Sequence, residues 1–160
     1  MKKIFVILFA LCAVSAQAQL FVGGSGKIGY SNDTFSVGLL PEVGYEINDR
    51  WAVGVGLGLE TITCDGDSEV FGLANPFVRF TAWQNDRIAL DVKGISMMEF
   101  QREFFAANIG VRPSVRFKVN DHLHFYTDFG LIGATDNNGD WDGAFLFNAM
   151  NANLGISYKF

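Results

Sequence analysis

The feature that most constrains this chain is a sorting of charge by parity. Over most of its length apolar and polar residues alternate with period two, the repeat of a β-strand whose successive side chains point to opposite faces. Val37, Leu39, Val43, Tyr45 and Ile47 form one apolar row, and Trp51, Val53, Val55, Leu57 and Leu59 form the next. Ile109, Val111, Val115, Phe117 and Val119 repeat the pattern, as do Leu154, Ile156, Tyr158 and Phe160. These rows contain no charge. The strand charges sit on the other parity: Lys27, Glu42, Glu46, Glu60, Arg79, Asp91, Lys93, Arg112, Arg116, Lys118, Asp128 and Lys159. An uncharged face suits a wall that meets hydrocarbon, where Lys or Arg near the midplane costs about 2–4 kcal/mol. A barrel standing in water sorts the other way, with charges outside.

A repeat sets the strand boundaries. Pro41-Glu42-Val43-Gly44-Tyr45-Glu46-Ile47-Asn48-Asp49-Arg50 is echoed by Pro113-Ser114-Val115-Arg116-Phe117-Lys118-Val119-Asn120-Asp121-His122. A third copy begins at Pro76-Phe77-Val78-Arg79-Phe80 and reaches Asn85-Asp86-Arg87 two residues late, an insertion that preserves every face. Asn-Asp favours a turn because both side chains bond the nearby backbone. Reading outward from the three turns predicts strands at 20–30, 35–47, 51–62, 70–83, 87–98, 104–119, 122–134 and 144–160. The expected fold class is all-β: an eight-stranded antiparallel up-and-down transmembrane β-barrel. Its short turns would be periplasmic, and longer extracellular loops would fall around 31–34, 63–69, 99–103 and 135–143.

The inward parity also carries Gly38, Gly44, Gly54, Gly56, Gly58, Gly110, Gly130 and Gly155, which would leave volume for long Glu and Arg side chains. Glu42, Glu46, Glu60, Arg79, Asp91, Lys93, Arg112, Arg116, Lys118 and Asp128 are therefore expected to form an ion-pair network that fills the lumen. Phe71, Leu73, Ile95 and Met97 fit this polar interior badly, since they share its parity near the loop end. Tyr45, Trp51, Phe117, Phe125, Tyr158 and Phe160 gather near the turns, as an interfacial aromatic belt would.

The N-terminus reads as an export signal: Met1-Lys2-Lys3, an apolar run from Ile4 to Val14, then Ala16-Gln17-Ala18. The expected domains are a cleaved signal peptide at 1–18 and a barrel at 19–160. The run is too short for a membrane-spanning helix, and Leu11 before Cys12 disfavours a lipoprotein signal. The formal net charge is −5, and losing Lys2 and Lys3 makes it two units more negative, which argues against a nucleic-acid partner. Cys64 would then be the remaining cysteine, so neither an internal disulfide nor a paired-cysteine metal site is expected.

The last stretch, Asn153-Leu154-Gly155-Ile156-Ser157-Tyr158-Lys159-Phe160, resembles the closing strand of outer-membrane barrel proteins, with a terminal aromatic residue and alternating apolar residues before it. With the repeated hairpins and the export signal, residues 20–160 resemble the small outer-membrane β-barrel family of the OmpA/OmpX type. The resemblance implies residence in the bacterial outer membrane among lipid and glycolipid. It also implies recognition by the barrel-assembly machinery through Leu154, Ile156, Tyr158 and Phe160.

Candidate chemistry is sparse. His122 and His124 stand beside the third turn, at the wrong end for a surface hydrolase, and read as turn or interfacial residues. Asp136-Asn137-Asn138-Gly139-Asp140-Trp141-Asp142-Gly143 has alternating oxygen ligands but Ala149 where a calcium loop needs an acid, so it reads as an acidic loop tip. Trp141 at that tip is a candidate surface contact. No catalytic, cofactor or metal site is expected. The expected role is a non-enzymatic, envelope-stabilising or surface-interaction barrel; the alternatives are a small passive channel and, behind it, a lipid-modifying enzyme. The sequence names no extracellular or periplasmic protein partner.

Overall fold

The structure is a computed structural model that describes residues 19–31, 34–64, 66–101, 104–137, 140–146 and 152–160. Within these, the side chains at 31, 104, 137, 140, 141 and 144–146 lie outside the description. The expected signal peptide, with Cys12, and the side chain of Trp141 therefore fall outside the described residues.

The strands are β1 (Gln19–Ser31), β2 (Thr34–Glu46), β3 (Trp51–Cys64), β4 (Asp67–Gln84), β5 (Ile88–Gln101), β6 (Phe104–Lys118), β7 (Leu123–Asp128), β8 (Leu131–Asn137), β9 (Asp140–Leu146) and β10 (Asn153–Lys159). β7 with β8, and β9 with β10, are the two segments of the seventh and eighth barrel strands. Counted so, each of the eight barrel strands pairs antiparallel with the next in sequence, and β1 pairs with β10, so the sheet closes into an eight-stranded barrel.

The three repeated turns share one geometry. Asn48 Oδ1 accepts from the N–H groups of Arg50 and Trp51, both at 2.9 Å. Asn85 Oδ1 does the same for Arg87 and Ile88 at 2.8 and 2.7 Å, and Asn120 Oδ1 for His122 and Leu123 at 2.9 and 2.7 Å. In each turn the third residue then offers its carbonyl to the adjacent strand: Arg50 to Thr81 N–H, Arg87 to Lys118 N–H, and His122 to Lys159 N–H. The turns thus stitch neighbouring hairpins together as well as closing their own.

The face assignment holds. Leu39, Leu57, Leu59, Ile109, Phe117 and Leu154 are exposed on the outer wall, while Glu42, Glu60, Arg79, Asp91, Lys93, Arg112, Arg116 and Asp128 are buried inside. The belt residues Tyr45, Trp51, Phe117, Phe125, Tyr158 and Phe160 are all exposed, with Trp51 packed on Phe80 at 4.7 Å between ring centres.

Two differences from the sequence expectation have clear causes. The ladder runs further toward the loop end than expected: β3 continues to Cys64 and β4 resumes at Asp67, so only two residues separate them. The same holds between β5 and β6. The second difference is a bulge in the seventh strand. Ser114 pairs with Asp128, but Val111 pairs with Ile132, which leaves one extra residue at Phe129–Gly130. Gly130 has a φ of 58°, a conformation that a Cβ would strain. Pro113, which has no N–H to give the ladder, accepts from Phe129 N–H at 2.8 Å opposite the bulge. The extra residue reverses parity beyond it. Leu131 therefore points inward, 1% exposed, and Ile132 outward. A smaller irregularity between Thr81 and Trp83 absorbs part of the insertion in the third repeat.

Candidate functional site: the charged interior

The inward charges are positioned by register. β2 places Glu42 and Glu46 four residues apart on one face, β4 contributes Arg79, β5 Asp91 and Lys93, β6 Arg112 and Arg116, and β7 Asp128. Near the turn end they form a connected cluster. Arg116 donates from Nε to Asp91 Oδ2 at 2.9 Å and from Nη2 to Asp91 Oδ1 at 3.3 Å, a bidentate grip. Thr81 Oγ1 donates to Asp91 Oδ1 at 2.7 Å and accepts from Arg116 Nη2 at 3.2 Å. Glu46 gathers three cations: Arg79 at 2.6 Å, Lys159 at 2.7 Å and Arg116 at 3.3 Å. One layer further in, Lys93 Nζ lies 3.0 Å from Asp128 and 4.0 Å from Glu42. Lys27 pairs with Glu60 at 2.5 Å toward the loop end.

Aromatic rings, which the sequence reading did not place inside, line this cluster. Phe21, Phe77 and Tyr126 are buried. Arg79 lies over the Phe21 ring at 5.2 Å, and Lys93 sits 4.1 Å from the Tyr126 centroid and 5.3 Å from that of Phe77. Each arrangement is a cation over the negative face of a π-system.

Three of the inward glycines are spent on these rings. In the ladder Phe21 faces Gly44, Phe77 faces Gly54 and Tyr126 faces Gly155. A Cβ at any of the three glycines would overlap the ring opposite. The expectation that the glycines make room for Glu and Arg is corrected accordingly. Only Gly38, whose Cβ would lie 3.6 Å from Glu60 Cβ, fits it directly. The pairing could have been found in the sequence from the shared parity of Phe77 with Arg79 and of Phe21 with Lys27.

Two expected members of the network do not join it. Lys118 is only half-buried and donates to Gln84 Oε1 at 2.9 Å and to the Asn85 carbonyl at 3.0 Å, because its strand position lies at the barrel mouth. Arg112 is 7% exposed yet makes no ion pair among the described residues, and its Nε has no hydrogen-bond partner. It borders a cavity of about 230 Å³ shared with Lys27, Glu60, Glu99 and Asn108. Phe71, Leu73, Ile95 and Met97, the stretch that fits a polar lumen badly, are buried, and Leu73 and Met97 line that cavity with Leu40 and Leu131 as an apolar layer.

The turn end opens differently, into a polar vestibule of about 1050 Å³ whose floor holds Arg79, Arg116, Glu46 and Lys159. His124 lines it as a buried residue, not the interfacial one expected, while His122 is exposed, bonded through Nδ1 to the Lys159 carbonyl at 2.8 Å and stacked on Tyr158. Leu154, Ile156, Tyr158 and Phe160 project outward from β10, whose end is tied to β1 by Phe160 N–H donating to the Leu20 carbonyl at 3.0 Å.

Among the described residues no group of three or more His, Cys, Asp or Glu side chains is arranged to hold a metal ion. Between the vestibule and the cavity the interior holds paired charges and buried rings. No protein-family model matches the chain, and no curated protein matches it in sequence.

Proposed function

We propose that this chain is an integral barrel of a bacterial outer membrane, of the OmpA/OmpX type, with a side-chain-filled lumen and a non-enzymatic role in stabilising the envelope or contacting its surface. One observation carries the reading: large apolar side chains cover the outside of a closed barrel whose charges are buried within. Leu39, Leu57 and Leu59 are each more than 60% exposed, an arrangement that is costly in water and natural in hydrocarbon. Closure removes the free sheet edges that lipid could not satisfy. Leu154, Ile156, Tyr158 and Phe160, all outward at the sheet's closing strand, support recognition by the barrel-assembly machinery. The paired charges and inward rings between the two cavities speak for a filled lumen over a passive channel.

Leu57→Arg places a charge midway along β3 on the outer wall, whereas Asp67→Arg places it at the loop end. In cells, Leu57→Arg is expected to be lost from the outer-membrane fraction and Asp67→Arg to accumulate there normally. Equal accumulation of the two variants would overturn the lipid-facing assignment.

A further inference from the structure

We propose that the vestibule at the turn end is a binding site for a small multivalent anion bearing phosphate or carboxylate groups. The site lies at the mouth of the barrel and does not depend on whether the wall faces lipid.

The charge balance of the vestibule is opposite to that of the chain. The protein carries a formal net charge of −5, but the vestibule lining has six cations, Arg50, Arg79, Arg87, Arg116, Lys118 and Lys159, against Glu46, Asp49, Asp86 and Asp121. A concave surface with one sign in excess focuses its field on whatever enters. The volume of about 1050 Å³ lies just above the range of about 300–1,000 Å³ usual for small-ligand sites, room enough for a ligand with several charged groups.

The cations fall into two tiers. On the floor, Arg79, Arg116 and Lys159 converge on the single carboxylate of Glu46, with Asp91 as a second partner for Arg116 alone. The side chains of this tier are held in place by their ion pairs. At the rim, Arg50, Arg87 and Lys118 make no ion pair among the described residues. Lys118 is instead held toward the mouth by Gln84 and Asn85. The two arginines occupy the same position in turns of identical Asn-Asp-Arg sequence, whose backbones are fixed by the Asn side chains and by the bonds from Arg50 and Arg87 carbonyls to Thr81 and Lys118. The repeat therefore sets unpaired guanidinium groups at successive stations around one opening. A ligand with several negative groups can meet two stations and the floor together, and guanidinium suits both phosphate and carboxylate. Asp49 and Asp86, beside those arginines, oppose binding and make the site selective for ligands with enough charge to overcome them.

The test is calorimetric titration of the refolded full barrel in uncharged detergent, with inorganic pyrophosphate and citrate as probes. Saturable binding that weakens as salt rises is expected for at least one of them, and its identity separates the phosphate from the carboxylate source. Arg50→Gln combined with Arg87→Gln is expected to weaken binding about fivefold to tenfold. Asp49→Asn with Asp86→Asn is expected to tighten it. Those four side chains hold none of the interior, and unchanged heat-modifiable gel migration will show that each variant is folded. No saturable binding of either probe, or equal affinity in the wild-type and arginine-substituted barrels, would overturn the proposal.

Discussion

The two halves of the barrel interior share one wall and one parity but are filled by different chemistry. Toward the turn end, Arg79, Arg116, Asp91 and Glu46 form a bonded cluster, with Lys93 and Asp128 paired above it and the rings of Phe21, Phe77 and Tyr126 around them. Toward the loop end, Leu40, Leu73, Ile95, Met97 and Leu131 form an apolar layer beside a cavity where Lys27 pairs with Glu60 and Arg112 makes no ion pair among the described residues. The difference teaches that facing inward does not by itself mean being polar. Parity decides which residues are shielded from the surroundings of the barrel, and height along its axis decides what partners they find.

The sharpest way to break this comparison is to remove one buried charge from each half. Asp91→Ala removes the carboxylate that holds Arg116 with two hydrogen bonds and leaves that guanidinium only the Thr81 hydroxyl and Glu46, already shared with Arg79 and Lys159; it is expected to lower stability by about 3 kcal/mol in a denaturant titration of the refolded barrel. A loss below 1 kcal/mol would mean that the cluster is no more than a polar filling.

Glycines provide a comparison of intermediate size. Gly44→Ala drives a methyl group into the Phe21 ring and is expected to cost about 1–3 kcal/mol. Gly38→Ala, in the loop half, meets its neighbours at ordinary contact distance of 3.6 Å and should be nearly neutral. Similar melting of the two variants would show that the rings do not depend on the glycines opposite them.

The smallest expected effect comes from Arg112→Met. Removing a buried charge that makes no ion pair among the described residues should leave stability unchanged or raise it by about 1 kcal/mol, measured by the same titration. A loss as large as that of Asp91→Ala would erase the distinction between the halves.

Much of this fold is legible without coordinates. Period two reports directly on which face a residue takes, so the outward rows of β2, β3, β6 and β10 and the inward charges follow from spacing alone. The Asn-Asp turns are local, since each Asn side chain closes its own turn two and three residues on, and local bonding leaves a local signature. The bulge at Gly130 is less legible, because a single extra residue is visible only against the partner strand. The inward face of Leu131 follows from that shift. The interior rings were missed for a related reason. Phe77 and Phe21 share the parity of Arg79 and Lys27, but only register sets each across from a glycine.

By itself, then, the sequence determined the strand count, the turns and the sign of each face, all of which depend on neighbours within a few residues. The tertiary structure decided which charges meet. Glu46 reaches Arg79, Arg116 and Lys159 across separations of 33, 70 and 113 residues, and only closure of the barrel brings those strands around one carboxylate. It also decided that Arg112 and Lys118, charges of the same parity as Arg116, lie outside that cluster, because pairing requires proximity along the axis as well as the right face. The parity of the charges is a property of the chain, and their partnership is a property of the closed wall.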